Sequence, residues 1–358
     1  MKIFRRTTVF FLILTLLFSC AVTSASAASK KKKKADPVVR VRVNNVEFLY
    51  PEARSMLGMI NEFRTGEDAW QLKKNNKTRQ KVKNLKPLQY DYNLEKVAMQ
   101  RALELAIFFN HTRPDGTAWK TAFPKKTSTK GENLAYGQID VSGAFIALRE
   151  DDKDYNGQGH RRNMLRKNFT RVGFGGVKIG DTIYYTQEFA SGKAGGSDSD
   201  LFSSNIVNVS WKTLMNSGAR NLGAYPAELT LVPGESVPLP EVTIYSHSGV
   251  RLTILDCTWT PADGLVSLDG SVLTAVGVGT TYLTADVVGN QVTLPITIVP
   301  EAPAVPEESS DEIEFVYEPE DDDQTTFESY ETPLGVRFFI MLTNDECYSN
   351  SFMDFLDQ

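Results

Sequence analysis

The spacing of apolar residues along the chain follows a helical period first and a strand period later. Three segments have an apolar stripe at i, i+3, i+4 and i+7 that predicts a helix with one buried face: 51–64, 94–109 and 141–149. Beyond them, 171–179 and 182–189 have strand composition and are separated only by Gly180 and Asp181, which predicts a β-hairpin. Helices followed by an antiparallel hairpin indicate an α+β domain, which we place at 50–192.

The C-terminal half has a different pattern. Short segments rich in β-branched residues recur about every ten residues from Leu229 to Val299, with Gly and Pro between them. This spacing predicts an all-β sandwich over 225–300, with Trp259 in its core. The stretch Gly192–Ser199 is rich in glycine and serine, so 193–224 is interpreted as a linker between the two domains.

The N-terminus has the features of a secretory signal. Basic residues precede an apolar run from Val9 to Phe18, which ends in Ala25-Ser26-Ala27. The run has about ten residues, whereas a bilayer-spanning helix needs about twenty. We predict that 1–27 is a signal peptide and that the protein is secreted; the alternative is a lipid anchor at Cys20. No later run predicts a membrane helix.

Charge is distributed unevenly around a formal net charge of −5. Lys30–Lys34 form a basic block, and 301–331 contain more than ten acidic residues and no basic one. Blocks of like charge repel and stay solvated, so 28–49 is predicted to be a basic linker and 301–358 an acidic, disordered tail. The alternative for the lysines is contact with an anionic cell wall or with lipid head groups. Nothing indicates nucleic acid binding.

Cysteine use argues against a disulfide-based fold. After removal of the signal only Cys257 and Cys347 remain. Two cysteines cannot supply the framework that stabilises small secreted domains, even in an oxidising compartment. The region 50–192 contains no cysteine, which also excludes a thiol hydrolase there.

Chemistry-bearing residues concentrate in four separated segments. The chain has three histidines, and two of them lie in polar, glycine-containing motifs. The segments are Asn110-His111-Thr112-Arg113-Pro114-Asp115-Gly116, Gly131-Glu132-Asn133-Leu134-Ala135, Glu150, and Gly159-His160-Arg161-Arg162-Asn163-Met164-Leu165. Two imidazoles and two carboxylates in one cleft could bind a divalent metal, or a glutamate could orient a histidine that acts as a general base.

Two strand motifs follow these segments: Val172-Gly173-Phe174-Gly175 and Tyr185-Thr186-Gln187-Glu188-Phe189. Together, the segments and motifs resemble the CAP superfamily, which comprises cysteine-rich secretory proteins, antigen 5, pathogenesis-related 1 proteins and bacterial SCP-like proteins. The resemblance implies an α-β-α sandwich and one cavity lined by His111, Glu132, Glu150 and His160. It also implies Zn²⁺ or another divalent metal at the two histidines, and it leaves enzymatic activity open.

Several assignments around this site have alternatives. Asp151 competes with Glu150 for the second acid. Asn133 and Tyr155 are candidate ligand contacts, with backbone support and simple packing as the alternatives. Arg161 and Arg162 either support the site or face solvent.

The C-terminal region resembles the bacterial immunoglobulin-like group 2 domain. Two features carry the resemblance: the stretch Leu273-Thr-Ala-Val-Gly-Val-Gly-Thr-Thr281, and Trp259 before Val266-Ser267.

The favoured hypothesis is therefore a secreted protein whose cleft binds a small molecule, lipid or peptide and whose Ig-like domain presents it at the cell surface. One alternative is a metal-dependent extracellular hydrolase that uses the same residues. Another is an adhesin in which the CAP fold is a scaffold.

Overall fold

A computed structural model describes residues 36–137 and 139–300, together with the backbone of 326–331 and 337–342. The helices are α1 (Tyr50–Thr65), α2 (Tyr92–Leu105), α3 (Val141–Arg149), α4 (Gly159–Met164) and α5 (Trp211–Asn216), with a 3₁₀ turn at Trp119–Ala122. None of the helices in these ranges has the length and apolar character needed to cross a membrane.

The strands of the first half are β1 (Val38–Val43), β2 (Glu47–Phe48), β3 (Trp70–Leu72), β4 (Arg79–Lys81), β5 (Gln89–Tyr90), β6 (Lys130–Gly137), β7 (Arg171–Ile179), β8 (Thr182–Ala190), β9 (Ile206–Ser210) and β10 (Arg220–Tyr225). Those of the second half are β11 (Leu229–Leu231), β12 (Ser236–Pro238), β13 (Glu241–Tyr245), β14 (Arg251–Ile254), β15 (Trp259–Pro261), β16 (Val266–Asp269), β17 (Val272–Ala275), β18 (Gly279–Val287), β19 (Asn290–Ile298), β20 (Thr326–Glu331) and β21 (Arg337–Leu342).

A sheet with helices on both faces forms the first domain. Its strands run in the order β2-β7-β8-β6, and β5 pairs with β7 in parallel. Helix α2 lies directly on one face, because β7 has Gly173 and Gly175 where side chains would meet the helix backbone. On the other face α1 and α3 pack through Met56, Ile60 and Phe145. The predicted α+β class and α-β-α arrangement are confirmed.

Helix α2 begins where Asp91 accepts a hydrogen bond from the backbone N–H of Leu94, at 2.9 Å. It ends at Leu105, four residues before the predicted end. The N–H groups of Ala106 and Ile107 reach back only three residues, to the carbonyls of Leu103 and Glu104, which tightens the last turn. This early end allows the chain to turn and bring His111 back towards the sheet.

A second sheet, in the order β10-β13-β14-β1-β9, draws its strands from three parts of the chain. Strand β1 lies within 28–49, and β9, α5 and all but the last residue of β10 lie within 193–224; both segments are predicted to be linkers from the sequence. The reason is a pairing across more than 160 residues: Val41 lies opposite Ile254 on one side and Val207 on the other. The domain boundaries stay a prediction, but these two segments do not act only as spacers.

Seven strands of the second half form two small sheets, β11-β19-β18-β15 and β12-β17-β16, and in the first half β3 and β4 pair as a separate antiparallel hairpin. Trp259 of β15 is buried and donates its indole N–H to the carbonyl of Pro240, at 2.6 Å, as a buried tryptophan requires. The region after residue 225 is strand-rich as predicted, although β13 and β14 join the five-stranded sheet. Assignment to the Ig-like group stays a prediction.

Some expectations fall outside the described residues. The signal peptide 1–27, Cys20 and the lysine block 30–34 are among them, as is most of the acidic segment 301–358. Within that segment β20 and β21 pair antiparallel, with Thr326 opposite Leu342.

Candidate functional site

Strand β6 carries the first acid of the site, Glu132. This residue lies opposite Glu188 of β8, so both side chains are on the face that α2 covers. From α2, Arg101 donates to Glu132 from Nε, at 2.6 Å, and to Glu104 from Nη1, also at 2.6 Å. All four side chains are buried. A charged cluster therefore forms under the helix, with its ions paired as burial requires.

His111 contacts this cluster from the turn that follows α2. Its Nδ1 lies 2.7 Å from Oε1 of Glu132. The turn is held by Arg101, whose Nη2 donates to the carbonyl of Asn110 at 2.8 Å, and by the side chain of Asn110, which accepts from the N–H of Thr112 at 2.8 Å. The imidazole itself is 54% exposed, whereas Glu132 is inaccessible. A buried carboxylate thus holds one nitrogen of an open ring.

The protonation of the two opposed glutamates differs. Burial would raise the pKa of Glu132, but its hydrogen bonds to His111 and Arg101 and the charge of Arg101 outweigh burial and lower it. Burial and the nearby charge of Glu132 raise the pKa of Glu188 well above its ordinary value. Two carboxylates at one buried position do not both ionise, so Glu132 is the anion and Glu188 the neutral acid.

The second pair, His160 and Glu150, lies at the start of α4. Nδ1 of His160 is 2.7 Å from Oε1 of Glu150, and the backbone N–H of His160 donates to Oε2 at 2.9 Å. Glu150 ends α3 in a left-handed conformation, at φ 51° and ψ 42°. This conformation is uncommon for a residue with a side chain and is found at strained functional positions. Here it turns the carboxylate back onto the next helix.

Glu150 rather than Asp151 therefore contacts the second histidine. Asp151 forms ion pairs with Arg149 and Arg161 instead. Arg161 is fully buried and does not face solvent: its guanidinium donates to the carbonyls of Arg149, at 2.9 Å, and Asp68, at 2.6 Å. It fixes the approach of α4 and does not reach His160's ring.

Two asparagines join the two histidine–glutamate pairs. Asn133, next to Glu132 on β6, donates to the carbonyl of His160 at 3.1 Å and to Gln187 at 2.9 Å. Asn163 donates to the carbonyl of Glu132 at 3.2 Å and to the side chain of Asn133 at 2.9 Å. These bonds tie the segment of His160 to β6 beside Glu132, so the two histidine–glutamate pairs are linked through this edge strand.

Tyr155 is placed differently from the other candidates. Its ring lies under the guanidinium of Arg162, 4.5 Å from the ring centroid, and its N–H donates to Asn76 at 2.7 Å. These contacts connect the loop before α4 to the β3–β4 turn. They give Tyr155 a packing role, and its part in ligand contact stays a prediction.

Sequence reasoning missed Arg101, Glu188 and Gln158. Arg101 lies on the buried stripe of α2 between Val97 and Leu105, and a charged residue on an apolar helical face is a signal that could have identified it. Glu188 was quoted only as part of a strand motif. Gln158 gave no signal; it is buried, donates to the carbonyl of Glu150 at 3.2 Å and accepts from the N–H of Leu72 at 2.8 Å.

The arrangement determines which ring nitrogens can bind something else. Where a carboxylate accepts a hydrogen bond from Nδ1, the neutral imidazole has its lone pair on Nε2. This is the orientation in which a carboxylate behind the ring prepares a histidine for a metal or for proton transfer. Within 36–137 and 139–300, no three His, Cys, Asp or Glu side chains are grouped to hold a metal ion.

Comparisons with known proteins agree with this architecture. Residues 57–189 match the model of the CAP family, described as the cysteine-rich secretory protein family. The uncharacterized protein YkwD of Bacillus subtilis (strain 168) is 35% identical over 119 residues, which are 32% of this chain and 43% of that protein. The chain thus spans less than half the length of this relative.

Two solved structures are similar over 41% of this chain. Venom allergen-like protein 4 of Schistosoma mansoni is 19% identical, with a TM-score of 0.32 and 92% of its own chain covered. The crystal structure of NaASP2 with Zn²⁺ is 18% identical, with a TM-score of 0.32 and 85% covered. The family match over residues 57–189 and the bacterial relative place the α-β-α region of this chain in the CAP superfamily.

Proposed function

We propose that this is a secreted binding protein whose CAP domain holds a small molecule, peptide or lipid between His111 and His160. One observation carries the proposal: each imidazole is held at Nδ1 by a glutamate at 2.7 Å, while its outer part is accessible, at 54% and 33% exposure. Fixed, partly exposed rings with free lone pairs are binding groups that need no rearrangement. The predicted signal at 1–27 and the family's description as secretory support the location.

A divalent metal fits this donor set only as a weakly held ion. The carboxylates of Glu132 and Glu150 are already engaged with Nδ1 atoms, so they act behind the histidines and not as ligands. Two Nε2 atoms remain, whereas catalytic zinc sites have three protein ligands and structural sites have four. Water or the bound molecule would complete the coordination, and the ion would exchange readily.

The observations favour binding over catalysis. In the described part of the chain neither imidazole is hydrogen-bonded to a serine, threonine or cysteine that could act as a nucleophile. The hydrolase alternative therefore requires an attacking water activated by a histidine–glutamate pair. That mechanism uses the same four residues, so it can be tested with the same variants.

Calorimetric titration of the secreted full-length chain with Zn²⁺ tests the site. The wild type should bind, and the His111→Ala, His160→Ala double variant should not. The third histidine, His247, is exposed and outside the CAP domain, so His247→Ala is the matched control and should bind like the wild type. Full binding by the double variant, or equal loss in the control, would contradict the proposal. If the protein hydrolyses a peptide, stops when a chelator removes the metal, and resumes when Zn²⁺ is added, the hydrolase alternative would be favoured.

A further inference from the structure

A concentration of positive charge lies in the β3–β4 hairpin and the segment after it. Seven basic residues and no acidic one occur in 73–86: Lys73, Lys74, Lys77, Arg79, Lys81, Lys83 and Lys86. All seven are exposed. In a chain with a net charge of −5, this concentration is a local feature and not the general character of the surface.

Two adjoining grooves run along this segment. One has a volume of about 570 Å³ and is lined by Lys81 and Lys83; the other has about 370 Å³ and is lined by Lys86 and Lys167. Arg64 and Asn84 line both, which makes the two grooves one trough. No carboxylate lines either groove, and within the described residues none of these lysines forms an ion pair.

Arg64 at the bottom of the trough is a buried cation that pairs with no carboxylate among the described residues. It is 2% exposed, and its guanidinium donates only to backbone carbonyls: Lys86 at 3.2 Å, Arg166 at 3.3 Å, Phe169 at 3.5 Å, and Met164. Burial lowers the pKa of Arg64 to about 10. Buried charges are normally paired with an opposite charge. An anion in the trough would supply the missing partner.

We propose that this trough binds a flexible, phosphate-bearing polymer. Lysine binds phosphate as a point charge without fixed geometry, which suits a chain of repeating anions better than one planar carboxylate. The cations extend along a hairpin and two grooves and do not converge on one point, so a polymer satisfies more of them than a single small anion.

Two other polyanions fit less well. A protein that binds a membrane surface inserts exposed apolar side chains into it. None of the large exposed apolar side chains of the described residues lies in 64–90. Single-stranded nucleic acid needs open aromatic faces for its bases. Phe169 is buried, and Trp70 is covered by the guanidinium groups of Arg79 and Arg161 at 4.0 and 3.8 Å.

The experiment measures binding of fluorescent long-chain inorganic polyphosphate to the full chain at several salt concentrations. The test variant is Lys83→Gln, Lys86→Gln, Lys167→Gln. The control is Lys125→Gln, Lys126→Gln, Lys193→Gln, which removes the same charge from exposed lysines outside the trough. Thermal unfolding of both should match the wild type, because all six side chains are exposed.

The wild type and the control should bind with similar affinity, and the test variant at least about tenfold more weakly. Each lost phosphate contact lowers the slope of log K against log salt by about 0.7 for a flexible strand, so the slope of the test variant should fall by about 2. Equal losses in both variants would overturn the proposal. So would tighter binding to anionic phospholipid vesicles or to an oligonucleotide than to polyphosphate.

Discussion

At the scale of single residues, Glu132 is the carboxylate on which most of the site depends. It accepts from Arg101, holds His111 and faces Glu188. Under α2 the cluster contains one arginine and three glutamates, with Arg113 pairing Glu104 from the edge. The carboxylates of Glu132 and Glu104 balance the two guanidinium groups only if Glu188 stays protonated, which agrees with the raised pKa of Glu188.

Removing Arg101 should destabilise the protein severely. Arg101→Met leaves the buried Glu132 without its arginine and removes one of the two arginines that pair with Glu104, at a cost of about 3–5 kcal/mol in the free energy of unfolding. Arg113→Met is the control, since its side chain is 15% exposed and Glu104 keeps Arg101. Denaturant unfolding of both variants measures the difference. Equal losses would mean that Arg101 does not hold the cluster together.

The Glu188→Gln variant should become progressively more stable than the wild type as pH rises. The folded pKa of Glu188 is raised, so the folded state retains a proton that the unfolded chain releases above about pH 4.3. The contribution of Glu188 to the free energy of unfolding of the wild type therefore falls as the pH rises. Glutamine is always neutral, so the variant does not lose this free energy. Thermal unfolding of both proteins between acidic and neutral pH measures the difference. A constant difference would contradict a protonated Glu188.

At the scale of elements, the site depends on the contact between α2 and β7. Gly173 and Gly175 leave no room for a side chain, because a Cβ there would overlap backbone atoms of Leu94, Glu95 and Ala98. Sequence reasoning identified both elements from their periodicity. It could not foresee that Arg101 would meet Glu132 through this contact, because the pairing depends on how closely the helix approaches the sheet.

Gly175→Ala should destabilise the protein by about 1–3 kcal/mol or more, since helix backbone cannot move aside as a flexible side chain can. Gly58→Ala in α1 is the matched control, with nothing within 4 Å of the added carbon. In a helix that exchange should stabilise by up to about 1 kcal/mol. Denaturant unfolding gives both values. Opposite signs are expected, and a neutral Gly175→Ala would disprove the close packing.

At the scale of the whole molecule, the N-terminal strand joins the two halves of the chain. The alternation in Val38-Val-Arg-Val-Arg-Val43 was visible in the sequence, but the neighbouring lysine block led to the prediction of a linker. Its partners β9 and β14 lie far along the chain, and such pairing leaves no local signal. The adhesin alternative would ordinarily be tested with an isolated C-terminal fragment such as 205–300, but that fragment lacks β1. It is better tested with the full chain and its His111→Ala, His160→Ala variant.

Replacing Val41 by alanine should lower the free energy of unfolding by about 2 kcal/mol, because the residue is fully buried between β9 and β14. Val38→Ala in the same strand is the control, at 50% exposure, and should have little effect. Thermal unfolding of both variants separates them. Equal effects would mean that β1 does not pack as a central strand.

Ring ¹⁵N NMR of the histidine-labelled full chain tests most directly the claim that two glutamates hold His111 and His160 with their Nε2 atoms free. With three histidines in the chain, each signal can be assigned by a single substitution. At alkaline pH both rings should be in the Nδ1–H form, and Zn²⁺ should shift their Nε2 signals while leaving His247 unchanged. Nε2–H forms at His111 and His160, or equal shifts at all three histidines, would contradict the account.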